Sequence, residues 1–520
     1  MSAHAQGLPT LPAGFNGTPL QNEVFNAVIA TCATLDELDT VNTAPGVINS
    51  QTRDLHRQCH GIVAAALTPG AATNAAPSVL GALQQVSGND YSSQGALATR
   101  VVTGQFTNIS ARLGVLRLGT TLPGQFIAFN NSFSLDRNSL DAYSQGDSLA
   151  PSISLPLSGQ PAEGTLMNTA FVGSGYAPAL RADAASGGGG SSSSAGAVSN
   201  PWGLYVQGSY NSGHHDATAL EDPFDFHATS VTLGLDYNFG NAVLGVSAGY
   251  DDYDAGFKQL GTYVSGGSSQ VESGTGSIYG AWFDEHWNFN AIATWGVLRT
   301  HQSRVVSYTV VYDQATLPNP LFLSDCITPT NCPVTVDRTL QGNPNGSIVA
   351  IGTTAGYSAN LGGFDIDPSL SLNYRRAGIN AFTESDPNPP PGGNGLALAF
   401  GDQVIESFRS IVGVGVSRPF SVPFGVLTPL VRAEWDHEFL TGERFIQAQY
   451  ASTVGLAGAP SCLSCFALPT DRPVANYGIV GGGLSVLLAH RVQAFVYDEV
   501  LVGYSNYSSN SVAIGIRGQF

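Results

Sequence analysis

Lysine is all but missing from this chain: Lys258 stands alone among 520 residues. Charged residues of all kinds make up 11%, under half of the quarter or so that soluble domains carry. The formal net charge is −18, which excludes nucleic acid as a partner, because binding phosphates requires a basic face. No apolar run reaches the length of about 20 residues that a membrane helix needs, so helical spans are excluded as well. Repeated β-helix rungs are also absent. The N-terminus MSAHAQG carries neither a charged n-region nor an apolar h-region. Ala3-His4-Ala5 has the small-x-small pattern left of a cleavage site, so an export signal is expected to have been mostly removed.

What is present is glycine, 62 residues of it, with 43% hydrophobic residues. Low charge, much glycine and no helical span together fit a transmembrane antiparallel β-barrel, whose strands need only about ten alternating residues per crossing. The chain is long enough for a barrel and an attached module. Its last eleven residues, NSVAIGIRGQF, put Val512, Ile514, Ile516, Gly518 and Phe520 on one face. This is the pattern of a terminal strand that closes a barrel, with Val512, Ile514, Ile516 and Phe520 toward lipid. From residue 201 onward the period is two throughout. Val231, Leu233, Leu235, Tyr237 and Phe239 share one face, expected toward lipid, and Asp236 lies on the other, with Asn288 and Asn290 placed likewise in the strand from Trp287. About twelve such strands begin near Trp202, Phe226, Ala242, Gln270, Trp287, Ser347, Phe364, Gln403, Val426, Tyr477, Arg491 and Asn510. Short turns alternate with long connections at 212–225, 256–269, 302–346, 383–402 and 440–476, the sidedness of an outer-membrane barrel.

Residues 1–118 read as a small helical domain. Thr18-Pro19 starts a helix with Leu20, Val24, Phe25, Val28 and Ile29 on one stripe. Ser50 is the expected N-cap of a second, carrying Leu55, Cys59, Ile62, Val63 and Leu67. Val79, Leu80, Leu83 and Val86 suggest a third, and Leu97, Val102, Phe106, Ile109, Leu113 and Leu116 a longer one over 92–118. Residues 119–200, with GGGGSSSSAG at 187–196, have the composition of a flexible linker. The six cysteines fit an oxidising compartment, and spacing suggests Cys32–Cys59, Cys326–Cys332 and Cys462–Cys465.

On the residues NPWGLYVQGSYNSG (200–213), TPLVRAEWDHEF (428–439) and the aromatic terminal strand, the segment 201–520 resembles the autotransporter, or type V secretion, β-domain. The stretch ALQQVSGNDYSSQGALATRVVTGQFTNISARLGVLRLG (82–119) resembles the helical segment preceding many such domains. The resemblance implies a barrel in the outer membrane of a Gram-negative bacterium, among outer-membrane lipid and lipopolysaccharide, inserted by the barrel-assembly machinery and anchoring or exporting an N-terminal passenger. The chain departs from the family in its small passenger and in the eighty or so residues between the long helix and the first strand. Whether that helix, part of 119–200 or nothing fills the lumen is left open.

Candidate chemistry is sparse. Gly146-Asp147-Ser148-Leu149 spells an esterase motif but lacks a following histidine before His214. His214, His215, Asp216, Glu221, Asp222 and His227 have no metal-ligand spacing, and neither do Asp251, Asp252 and Asp254 for calcium. Cys462-Leu463-Ser464-Cys465 reads as a local structural disulfide. Arg432, Glu434, Asp436 and Arg517 are expected to face the lumen, beside Asp236, Asn288 and Asn290, either holding a helix, passing solutes or simply pairing with one another. No enzyme, cofactor or metal is expected. The function expected is a surface anchor for an adhesive or assembly head. The alternatives are a pore with a periplasmic head and a homo-oligomeric envelope subunit joined through the helices.

Overall fold

The computed structural model describes residues 11–12, 15–41, 49–67, 76–93, 105, 106, 108, 109 and 113. It also describes 202–518 apart from 262, 265, 285, 313–331, 391–392, 457–458, 460–461, 489–491 and 509. For 39–41, 76, 203–209, 487–488, 492–497, 508 and 510–518 only the backbone is described. The terminal Phe520, the whole 119–200 linker with its motif at 146–149, and Cys326 fall outside these residues.

Twelve long strands form one antiparallel ladder among the described residues. They are β1 (Trp202–His215), β2 (Phe224–Asn238), β3 (Ala242–Phe257), β4 (Gly267–Phe283), β5 (Trp287–Tyr312), β6 (Asn345–Tyr357), β7 (Phe364–Ile379), β8 (Gln403–Ser417), β9 (Gly425–Glu438), β10 (Asn476–Leu488), β11 (Val492–Val502) and β12 (Asn510–Gly518). Each pairs with its sequence neighbour, the up-and-down order that short turns permit. At the sheet's other end β1 pairs with the stub Tyr507–Ser508.

The wall alternates with period two because successive side chains leave a strand on opposite faces. In β2 the outward Val231, Leu233 and Leu235 are exposed, and the inward Ser230, Thr232 and Asp236 are buried. Outward aromatics form two belts. Trp202, Phe239, Trp282, Trp287 and Phe289 lie near the short turns, and Tyr210, Tyr250, Trp295 and Trp435 lie about eight to eleven residues further along their strands. For strands tilted by roughly 40° that separation spans on the order of 20 Å, close to the apolar band of an outer-membrane barrel. Above the second belt the outer face turns polar, as Tyr250 donates to Glu272 (2.8 Å) and Tyr374 to Glu406 (2.6 Å).

Above the band the inner face inverts as well. Phe224, Phe226, Tyr253 and Phe257 point inward and are buried. The expectation of a polar interior therefore holds only at membrane depth. Beyond hydrocarbon the wall has water outside and packed protein inside. The segment 302–346, expected as a loop, continues this inverted pattern. β5 runs 26 residues, and Cys332–Gly342 pairs with its outer part. Val306, Tyr308, Val310, Val334, Val336 and Leu340 form its buried face. The other long connections build a second, four-stranded sheet from Phe382–Thr383, Leu398–Phe400, Phe445–Tyr450 and Phe466–Pro469.

Three helices pack on this end: α1 (Pro19–Val41), α2 (Ser50–Leu67) and α3 (Ala76–Ser87). Thr18 and Gln21 cap α1 reciprocally, the Thr18 N–H donating to Gln21 Oε1 (2.9 Å) and the Gln21 N–H to Thr18 Oγ1 (3.2 Å). The cap of α2 is Asn49 rather than Ser50, since Asn49 Oδ1 accepts from the Thr52 N–H at 2.8 Å. Leu20, Val24, Phe25, Val28 and Ile29 are all buried, in one core shared with the β5 extension and the four-stranded sheet. Disulfides Cys32–Cys59 and Cys462–Cys465 are formed. Cys332 is also disulfide-bonded.

Placing a charge in the outer apolar band should be costly and depth-dependent. Val246→Arg, on the exposed face between the belts, should lower folding stability in lipid vesicles by about 2–4 kcal/mol. Val311→Arg, on the same face but beyond the band, should cost under about 1 kcal/mol. Equal penalties in a urea titration would contradict the assigned band.

Candidate functional site

Two features of the structure can carry function: the inner face of the barrel wall and the junction between the helices and the long-loop end. In the lumen, Arg432, Glu434 and Asp436 of β9 are buried while Val431 and Trp435, between and beside them, face outward. Arg432 pairs closely with Glu434 and lies 3.9 Å from Glu499. Arg409 lies 3.5 Å from Asp436 and donates to the Tyr477 hydroxyl at 2.6 Å. These charges largely satisfy one another. Asp236 accepts from the Tyr279 hydroxyl (3.2 Å). Asn288 and Asn290 are half-buried on the inner face near the short turns. In β12, Val512, Ile514 and Ile516 pair with Asp498, Val496 and Ala494, and their side chains, like that of Arg517, lie outside what is described.

Residues of the 92–118 segment enter this lumen. Gln105, Phe106, Asn108, Ile109 and Leu113 have helical backbone and are buried. The Gln105 amide donates to both Asp251 oxygens and to Ser230 Oγ (each 3.2 Å), and the Thr232 hydroxyl donates to Gln105 Oε1 (2.8 Å). Asn108 donates to Thr232 at 2.8 Å. The Arg375 guanidinium lies 5.6 Å from the Phe106 ring centre. Gly249 lets Gln105 come this near, because a Cβ there would overlap the Gln105 amide. An amide is suited to this place: it bonds a buried carboxylate and hydroxyls without adding a charge.

At the junction two buried ion pairs are shared between distant segments. Arg304 of β5 forms a fork with Glu384, with Nε–Oε1 at 2.8 Å and Nη2–Oε2 at 2.5 Å, and donates to the Gln85 carbonyl at the end of α3 (2.8 Å). Arg338 forks onto Asp54 of α2 at 2.5 and 2.9 Å, and the Gly395 N–H adds a third bond to Asp54 at 3.0 Å. Burial would push the Asp54 carboxyl up, but Arg338's hydrogen bonds and charge hold it below the usual carboxylate range. Sequence reading missed all four residues. The available signal was an arginine on the buried face of an alternating strand, which requires a partner.

The histidine and acid-rich first long loop does not gather into one cluster. His214 lies 2.7 Å from Asp225 and 3.1 Å from Asp216, and His227 lies 3.4 Å from Asp254. His215 faces Glu221 at 3.6 Å and Asp471 at 4.0 Å. These three border a cavity of about 680 Å³ at the barrel mouth, walled also by Phe226, Arg409 and Tyr504. Asp222 accepts from Gln84 (3.3 Å) and Asn89 (3.2 Å) at the end of α3. Burial, joined by the charge of Asp222, raises Asp90 well above the carboxylate range. Burial and the charge of Asp471 push Glu221 up to about 7.

A sequence profile described as the autotransporter beta-domain matches residues 204–497. No curated protein matches the chain. Among solved structures, the chain is similar to the translocator domain of the autotransporter NalP from Neisseria meningitidis (12% identity, TM-score 0.41), covering 62% of this chain and 89% of that one. It is also similar to the β domain of the Bordetella autotransporter BrkA (13%, 0.34, covering 62% and 100%). The transport unit of AIDA-I from Escherichia coli is a third such structure (10%, 0.35, covering 61% and 90%).

Removing one partner of a buried pair strands the other. Arg304→Ala should therefore loosen the helices from the barrel by about 3–5 kcal/mol, read as faster amide exchange in α3 with the lower barrel unaffected. Glu221 makes the opposite pH demand from Asp54. Its folded pKa lies above the unfolded value of 4.5, so the folded state holds the proton more tightly, and stability is lost as pH rises from about 4.5 through about 7. Its neighbours are His215, Asp222, Asp471 and Arg444. Glu221→Gln should match the wild type at pH 4 and exceed it above pH 7 by up to about 3 kcal/mol, measured as amide exchange in 216–223. A wild-type junction that tightens with rising pH over this window would refute the assignment.

Proposed function

The chain belongs to the autotransporter β-domain family, and on that premise we propose that its barrel anchors the helical head on the outer surface of the outer membrane, with Gln105, Phe106, Asn108, Ile109 and Leu113 in the lumen plug. One observation carries the reading. The helices pack on the long-loop end, β1 starts at the short-turn end, and residues between them in sequence occupy the lumen. In outer-membrane barrels the short turns are periplasmic and the long loops extracellular. The chain order head, lumen, β1 is thus that of a segment which has passed outward through the barrel. Barrels of this family lie in the outer membrane of Gram-negative bacteria and are inserted there by the barrel-assembly machinery. Lipid and lipopolysaccharide would then surround the outer apolar band.

The occupied lumen favours an anchor over a pore. The apolar stripes of α1 and α3 are spent on the chain's own loops, which favours a head acting as one copy over assembly through those stripes. We assign the head no catalysis. Its role in this reading is adhesion or assembly, through the surface that the helices and the four-stranded sheet present together.

Labelling intact cells with a membrane-impermeant maleimide tests the topology. Asn26→Cys on the exposed face of α1 should react, and Asn241→Cys in the β2–β3 turn should react only after lysis. The reverse pattern would place the head in the periplasm. In planar bilayers the wild type should conduct little. Gln105→Ala with Asn108→Ala, which removes the plug's bonds to Asp251, Ser230 and Thr232, should open it more often.

A further inference from the structure

We propose that Asp36, His56 and His60 form a binding site for a divalent first-row transition-metal ion within the helical head. His56 and His60 lie one turn apart on α2, and Asp36 lies on α1 one turn beyond Cys32. The Cys32–Cys59 disulfide joins the two helices at this level, with Cα atoms 5.8 Å apart. It fixes the helix separation on which the geometry depends. Asp36 Oδ1 is 2.7 Å from His56 Nε2 and 2.8 Å from His60 Nε2, and the two Nε2 atoms are 3.0 Å apart. One carboxylate oxygen and two imidazole nitrogens thus converge as a small triangle.

The triangle has the dimensions of a ligand set. Two ring nitrogens this near cannot both direct a hydrogen into the gap between them, whereas a cation allows all three atoms to use a lone pair. An ion about 2.1 Å from each atom sits about 1.3 Å off their plane with ligand–metal–ligand angles near 85°. This is one face of an octahedron, the arrangement of two-histidine, one-carboxylate sites. The i, i+4 histidine pair is also the helical spacing that presents two imidazoles to one ion. Imidazole nitrogen selects zinc, nickel, cobalt or iron over magnesium and calcium, which take oxygen. The His56 and His60 side chains are 4% and 14% exposed, and Asp36 is 38% exposed. The nitrogens are therefore shielded while the carboxylate side stays open, giving the ion a way in and water a place to complete its coordination. The sequence carried the signal as His56-x-x-x-His60, hidden because Asp36 is supplied by another helix.

The test uses the purified full chain in detergent, titrated with Zn²⁺ by calorimetry and with Co²⁺ by visible absorption. One equivalent should bind. His60→Ala and Asp36→Asn should each weaken it by about 100-fold or more, since even loss of an outer partner of a metal ligand costs 10–100-fold. His215→Ala, at the other histidine–carboxylate group, should leave it unchanged. Retention of the Cys32–Cys59 disulfide and of wild-type helicity by circular dichroism shows that the variants are folded. The proposal is overturned if the wild type binds no ion below millimolar concentration. It is also overturned if His60→Ala binds as tightly as the wild type, or if His215→Ala abolishes binding. Any of these results would leave the triad as a hydrogen-bonded helix contact.

Discussion

Hydrocarbon offers no partner to a backbone amide, and that constraint organises the molecule. Within the membrane band every strand must bond to neighbours, so the chain spends its length on a continuous antiparallel ladder with short turns on one side. The same medium tolerates only apolar outward side chains, which leaves alternate positions to face inward. A chain with 11% charged residues concentrates charge in that interior, as at Arg409, Arg432, Glu434 and Asp436. These groups are stable there because they pair with one another and with Tyr477 and Glu499. Gln105 and Asn108 fill further space as neutral hydrogen-bonding side chains, meeting Asp251, Ser230 and Thr232 without adding charge.

Once the wall leaves the membrane, the physics changes sides. Water lies outside, so outward positions become Asp225, His227, Arg299 and His301. Inward positions become Phe224, Phe226, Val306 and Tyr308, which need a covering. The helices supply it. α1, α2 and α3 are too short to hold a large core alone, but they complete one with the extended β5 hairpin and the four-stranded loop sheet. Head and loops are thereby one packed body, and the Arg304–Glu384 and Arg338–Asp54 pairs set its register. Each pair joins segments remote in sequence, so the correct arrangement alone satisfies both charges.

Much of the wall was legible, because alternation is a local property. The strands expected from Trp202, Ala242, Trp287, Phe364, Gln403 and Asn510 begin at those residues, and the remaining six begin within three residues of expectation. The stripes of α1 and α3 were equally plain. The loop at 302–346 was misread although its Val-x-Tyr-x-Val-x-Tyr alternation is as regular as the wall's. Its length was assigned to a loop because long connections alternate with short turns along the chain. The cap of α2 was misplaced by one residue, since Asn49 and Ser50 are both good caps and local sequence does not choose between them. The functional side chains fared worst. Asp54, Arg304, Arg338 and Glu384 look like ordinary surface charges until their partners are known.

By itself the sequence determined the membrane wall and the helical stripes, because periodicity records which solvent each side chain meets. It also carried the pairings Cys32–Cys59 and Cys462–Cys465, whose members lie near in the chain. Tertiary structure alone decided which end of the barrel the helices cover, what fills the lumen, and which carboxylate each buried arginine and histidine faces. Those choices depend on contacts between residues tens to hundreds of positions apart. Such contacts leave no local period, since the free energy that selects them arises only when both surfaces have lost their water.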